Sequence, residues 1–318
     1  MTSTSAPFSS LRDAVERIAV SAADGALLPL YDVGGPAGAP GLLVGHANGL
    51  AAGSYGPWLR ELTRWFRVFA FDARGHGGSL WPAGPLDQVF SVDRFADDLA
   101  RLAAATCARL GGAPLHFAGH SLCAAAAVRL ALDGASLPFA VATLFEPPIF
   151  PPEGAANRAE AVEQQEKLVR GSLRRQRRWK SASEFEAFLK TRGVFRSFDP
   201  AMLWAHCQAT LKPEGDHYLL CCPPEIESFI FASHRDADTW NRLGTVRTEF
   251  HLVSGDPSAP NRDWVTGAMA SIAQGLYAST LEILPRAGHM MIFQQPQRCA
   301  ELLRERLDGS VPCKKCMP

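Results

Sequence analysis

The sequence has no excess of charge of either sign: 32 Lys and Arg stand against 32 Asp and Glu, a formal net charge of zero. A chain without a net field cannot collect nucleic acid, an anionic membrane or an acidic substrate from a distance, so none of these is expected as a partner. It also lacks an uninterrupted apolar run of spanning length, and its start, MTSTSAPFSSLRDAVER, has neither a basic stretch nor a continuous apolar core. No membrane segment and no export signal are expected, and a cytoplasmic protein is. A second metal-type cysteine pair is missing too. CKKC at Cys313 to Cys316 has half the ligands of a structural zinc site, so no metal is expected. The eight cysteines, Cys107, Cys123, Cys207, Cys221, Cys222, Cys299, Cys313 and Cys316, are scattered and read as thiols.

At 318 residues the chain is long enough to bury a substantial core, as one large domain with an insertion or as two modest ones. Short apolar runs alternate with helical patterns: ALLPLYDV, GLLVGH, FRVFAFDA, a helix through FADDLARLAAATCARL, then PLHFAG and an alanine-rich helix to Leu132. Strand then helix, repeated, implies a mostly parallel sheet with helices on both faces. PFAVATLF is the next strand and stops at Glu146-Pro147-Pro148. Charged amphipathic stretches follow, which predicts a helical lid over residues 149–245 between two parts of one core, residues 1–148 and 246–318. The alternation resumes with TEFHLVSG, a helix through DWVTGAMASIAQGL, the strand LEILPR, and a last helix from about Pro296 to Leu307.

In open parallel sheets the usable crevice lies beyond the carboxyl ends of the strands, so the residues just after each apolar run carry the information. After PLHFAG comes FAGHSLCAAAAV, in which Ser121 stands between small residues at a strand-to-helix turn that exposes a hydroxyl. After the strand GLLV comes Gly45-His46-Ala47-Asn48-Gly49, a loop of small residues whose backbone can approach a ligand. The amides of Asn48 and of Leu122 are the expected oxyanion donors, one from each loop. Asp256 follows EFHLVSG and His289 follows LEILPRAG, giving the order Ser121, Asp256, His289. That is the chain order of an elbow-type serine hydrolase: nucleophile, orienting acid, base. Glu146 is the alternative acid, and its setting in FEPPIF also suits a rigid exit into the lid. Asp72 is expected to satisfy loop amides. His120 reads as packing, because neighbours at a tight elbow point apart, and His46, His76, His116 and His120 show no metal-ligand spacing.

With GHANG, the turn Asp72-Ala73-Arg74-Gly75-His76-Gly77-Gly78-Ser79, GHSLC and Gly288-His289 in this order, the chain resembles the α/β-hydrolase superfamily. The resemblance implies the α/β-hydrolase fold and a lidded, esterase- or lactonase-like serine hydrolase needing no cofactor. It leaves carbon-carbon bond hydrolysis on the same triad, or ligand binding without turnover, as alternatives. Ser121 excludes the mechanism that uses a carboxylate nucleophile. Two positions depart from the family pattern: Cys123 replaces the second elbow glycine, and Ala47 replaces the glycine after His46. The expected partner is a mostly apolar small-molecule substrate, and a homodimer is compatible with the sequence. In RRQRRWK, Arg174 to Lys180, flanked by Glu160, Glu163, Glu166, Glu184 and Glu186, a solvated or ion-paired helical face is favoured over a substrate-holding arginine. The aromatics Trp179, Phe185, Phe188, Trp204, Phe229 and Phe231 serve equally as the lid's own core or as a roof for an acyl pocket.

Overall fold

The computed structural model describes residues 9–307 apart from residues 234, 236, 260 and 261. The tail cysteines Cys313 and Cys316 lie outside the described residues. The apolar runs form β1 (Glu16–Ser21), β2 (Leu27–Gly34), β3 (Gly41–Gly45), β4 (Arg67–Phe71), β5 (Leu115–His120) and β6 (Val141–Phe145). An insertion then carries β7 (Arg178–Trp179), β8 (Leu211–Glu214) and β9 (His217–Leu220), before β10 (Phe250–Ser254) and β11 (Ser279–Ile283). The main sheet runs β1-β2-β4-β3-β5-β6-β10-β11, with β2 antiparallel to both of its neighbours and every other pair parallel. β7, β9 and β8 form a separate antiparallel sheet.

In the core the helices are α1 (Gly56–Leu62), α2 (Leu86–Val89), α3 (Val92–Cys107) and α4 (Leu122–Leu130). The insertion holds α5 (Arg158–Leu173), α6 (Ala182–Leu189), α7 (Pro200–Ala209), α8 (Pro224–Ser233) and α9 (Asp238–Asn241). α10 (Trp264–Gly275), α11 (Met291–Gln294) and α12 (Pro296–Leu307) follow. Inner strands are mostly apolar because both faces are covered: Leu42 and Val44 of β3 enter one core cluster and Leu43 the other. One cluster joins the sheet to α3, α4 and α10, and the other joins it to α1, α7 and α12. In α3 the Ser91 hydroxyl caps the start by accepting from Arg94 N, and Phe95, Leu99 and Leu102 form the buried stripe.

Two elements differ from the sequence reading. β1 is an edge strand whose residues are mostly half-buried or exposed, so its pattern lacks the apolar signature of the inner strands. The insertion is not wholly helical, because β8 and β9 pair across Gly215 and Asp216, with Gly215 at φ 61°, to form a hairpin that β7 extends. RRQRRWK is ion-paired but lies past the end of α5 and in β7, not on a helical face: Arg175 meets Glu227 at 3.0 Å and Arg177 meets Glu225 at 3.3 Å. Of the flanking acids, Glu163, Glu166 and Glu186 pair with Lys167, Arg170 and Lys190 one turn on, and Glu160 pairs with Arg262. Trp179 packs on Phe185 and Phe188, with ring centroids 4.7 and 5.0 Å apart, as core within the insertion. The six cysteines among the described residues are free thiols. Among those residues no helix is long and apolar enough to cross a membrane.

The place of Cys123 at the elbow has a local explanation. An added Cβ at Gly45, at the end of β3, would lie 2.5 Å from Cys123 Cβ and 3.0 Å from its Sγ. The glycine that the helix lacks is therefore supplied by the facing strand. Gly45→Ala is expected to destabilise the protein by about 1–3 kcal/mol in urea unfolding through overpacking. Cys123→Gly in the same chain should recover part of that loss, and strictly additive effects would refute the size compensation.

Candidate active site

Ser121 follows β5 directly, at φ 51° and ψ −111°, a backbone conformation that costs energy for any residue with a side chain. Two bonds hold it: Ser121 N–H donates to Phe145 O at 2.9 Å, and Ala125 N–H donates to Ser121 O at 2.9 Å. Gly119 makes room, since a Cβ there would sit 2.9 Å from the Ala124 backbone. The strained turn thus faces the hydroxyl away from the sheet, and Ser121 Oγ lies 3.0 Å from His289 Nε2.

His289 Nδ1 lies 2.7 Å from Glu146 Oε2, so the imidazole carries its proton on Nδ1 and presents a bare Nε2 to the serine. Glu146 directly follows β6, at φ 44°, and is fully buried. Its Oε1 accepts from Gly255 N at 2.7 Å and from Thr266 Oγ1 at 2.7 Å, with Ser254 Oγ at 3.2 Å. A buried carboxylate persists only when its lone pairs are met in this way.

The expectation that Asp256 meets His289 is corrected here. Asp256 is half-buried; its Oδ1 accepts from Ser258 N at 2.9 Å and Ser258 Oγ at 2.6 Å, and its Oδ2 faces Arg286 N at 3.4 Å. The physical reason is local: a serine two residues on captures the aspartate in its own turn. Those hydrogen bonds hold the Asp256 carboxyl below its usual range. What the loop after β10 brings to the site is the Gly255 amide, which donates to Glu146 Oε1. A Cβ at Gly255 would come within 2.7 Å of Ala287 O, so this glycine also allows the His289 loop to pass closely. The residue at the histidine is the alternative acid, Glu146.

Burial works against a charged His289, but the Glu146 hydrogen bond and the Asp263 and Glu146 charges outweigh it and raise the imidazole above its ordinary value. Asp263, the N-cap of α10, accepts from Val265 N at 3.0 Å. Its carboxyl is pushed up by burial, against the pull of His289.

In the loop after β3, Asn48 Nδ2 donates to Glu227 O at 3.0 Å, and Gly49 N donates to His76 Nε2 at 2.9 Å. Ala73 N donates to His46 Nε2 at 2.9 Å, and His46 Nδ1 donates to Ala47 O at 2.8 Å. Burial keeps both histidines neutral, His76 at about 3. The amides of Asn48 and Leu122 have no acceptor among the described residues. Asp72 is fully buried and takes four donors: Ala52 N, Gly78 N, Ser10 Oγ and Tyr31 Oη. Arg175 is occupied by Glu227. Among the described residues no group of three or more His, Cys, Asp or Glu side chains is arranged to hold a metal ion.

Gly255, Thr266, Ser254 and Asp263 were not legible as site residues. Each acts through Glu146 or His289 and carries no motif of its own.

The sheet order and the strained serine after β5 define an α/β hydrolase. A family model described as "Alpha/beta hydrolase family" matches residues 14–302, and the chain belongs to that family. Solved structures similar to it include an E-2-(acetamidomethylene)succinate hydrolase, 18% identical with a TM-score of 0.72 over 92% of this chain and all of that one. An N-formylmaleamic acid deformylase from Pseudomonas putida is 21% identical with a TM-score of 0.62, over 91% of this chain and 99% of that one. An esterase from Exiguobacterium antarcticum is 16% identical with a TM-score of 0.66, over 92% of this chain and all of that one. At these identities the likeness shows the fold alone. No curated protein sequence matches the chain.

A raised His289 stabilises the fold fully below the unfolded value of about 6.5, and that contribution is lost as pH rises through the higher folded value. An NMR titration of the histidine rings is expected to place His289 above about 6.5 and Glu146→Gln to bring it down. A wild-type value at or below the ordinary one would contradict this electrostatic account.

Proposed function

We propose that the protein is a serine hydrolase that cleaves an ester or similarly activated acyl bond of a mostly apolar small molecule. The observation that carries this reading is the continuous chain from Ser121 Oγ through the His289 ring to Glu146, at 3.0 and 2.7 Å. His289 Nε2 takes the Ser121 proton as Oγ bonds to the substrate carbonyl carbon, and the imidazolium that forms is held by Glu146. The carbonyl oxygen gains the electron pair and accepts from the amides of Leu122 and Asn48. Collapse of that intermediate breaks the bond to the leaving group, which takes the proton back from His289, and an acyl ester remains on Ser121. Water repeats the sequence: His289 removes its proton, the acid is released, and the serine hydroxyl is restored.

An ester suits this set because two amide donors and one neutral base address an uncharged carbonyl without a metal or a second acid. The absence of a net molecular charge agrees with an uncharged or mostly apolar substrate. The insertion between β6 and β10 serves as the lid in this reading, with Asn48 bonded to the carbonyl of Glu227 in α8 tying it to the oxyanion loop.

The test is labelling with a fluorophosphonate and peptide mass mapping, run beside turnover of p-nitrophenyl butyrate. Label is expected on Ser121, and Ser121→Ala should lose label together with about 10³-fold or more of the turnover. The kcat/KM of wild type should rise with pH through the His289 value, because only the neutral ring accepts a proton. Turnover that survives Ser121→Ala would overturn the assignment.

A further inference from the structure

His120, next to the serine, and Tyr55, on the turn that follows the oxyanion loop, are among the most buried polar side chains in the chain, at 1% and 0% exposure. His120 Nε2 lies 2.9 Å from the backbone oxygen of His289, and His120 Nδ1 lies 2.6 Å from Tyr55 Oη. A carbonyl oxygen can only accept, so Nε2 carries the ring proton and Nδ1 is an acceptor. The tyrosine must then donate to Nδ1, which leaves its oxygen to accept from Ala47 N–H at 3.2 Å. Every proton in the chain Ala47, Tyr55, His120, His289 is thereby assigned a direction. Its ends are the backbone of the oxyanion loop, one residue before the Asn48 amide, and the backbone of the base itself.

Resting on the serine hydrolase reading above, we propose that Tyr55 and His120 are positioning residues, a hydrogen-bonded relay that locks the oxyanion loop, the serine elbow and the His289 loop into one register. Packing alone does not call for these groups. Two large apolar side chains would fill the same space without the cost of burying three polar atoms, a cost met only by complete pairing. Burial holds His120 neutral, with its value pushed down to about 3, and raises the Tyr55 hydroxyl well above its ordinary range. The relay therefore keeps one protonation state across the working range of His289. The rings also bracket the site: His120 lies 5.3 Å from the His289 ring and Tyr55 lies 4.8 Å from Phe293, in the helix that follows the base. Loss of the tyrosine hydroxyl frees the Ala47 amide and the His120 ring together. The oxyanion donor then moves relative to the serine, an error that acts on the transition state more than on substrate binding.

The experiment compares Tyr55→Phe, His120→Gln and the double variant with wild type on p-nitrophenyl butyrate, alongside an NMR assignment of the His120 tautomer in wild type. Tyr55→Phe is expected to lower kcat about tenfold with KM nearly unchanged, as expected of misplaced catalytic groups. His120→Gln can place its amide nitrogen as a donor to the His289 carbonyl but has no acceptor at the position of Nδ1, and should do little further damage in the Tyr55→Phe background. In wild type, His120 is expected as the Nε2–H tautomer without titration between about pH 5 and pH 9. Full kcat in Tyr55→Phe, additive losses in the double variant, or an Nδ1–H tautomer would overturn the relay. Those outcomes in an enzyme whose Ser121 still labels would leave the hydrolase reading standing. A wild type that neither labels nor turns over would take down both. Should Tyr55→Phe fail to fold, the wild-type tautomer still decides.

Discussion

The site depends on one buried carboxylate. Glu146 follows β6 in a left-handed backbone conformation and carries no exposed surface, and its oxygens are met by the Gly255 amide, the Thr266 hydroxyl and the His289 ring, which converge on it. Those three partners come from the loop after β10, from α10 and from the loop after β11, three separate segments of the core's second part. The parallel pairing of β6, β10 and β11 sets their strand ends side by side. A sheet with that order brings the carboxylate, its donors and the base together without any one of them being adjacent in sequence.

The elbow is built by the same logic of exchange across strands. Gly45 yields the space that Cys123 takes, and Gly119 admits the start of α4 against β5. In consequence the two departures seen at the elbow and the oxyanion loop are absorbed locally. The loop's second residue, Ala47, offers its amide to Tyr55, and the amide of Asn48 has no acceptor among the described residues.

Much of this was legible from sequence, because inner strands and the elbow announce themselves through near-continuous apolar runs and small residues. β3, β5 and β10 lie where GLLVGH, PLHFAG and TEFHLVSG place them, and α12 runs from Pro296 to Leu307 as expected. The alternation failed at β1, an edge strand with little burial, and at β8 and β9, four residues each, where the Gly215-Asp216 turn was the available signal. At the site both acids satisfy the chain order, and Asp256 was expected over Glu146 because FEPPIF read as a rigid exit into the lid. What sequence could not display is that Ser258 captures Asp256 while Gly255, one residue earlier, donates to Glu146. Which of two carboxylates at neighbouring strand ends faces the base is a matter of backbone direction over a few residues, and no periodicity encodes it.

The most direct test of the account is the kcat/KM for p-nitrophenyl butyrate of Glu146→Gln set against that of Asp256→Asn. If Glu146 orients and charges His289, the first falls by about 10²–10⁴-fold, as loss of the orienting acid of a triad does, and the second stays near wild type. A large loss in Asp256→Asn with Glu146→Gln active would contradict it and return the acid's role to the loop after β10.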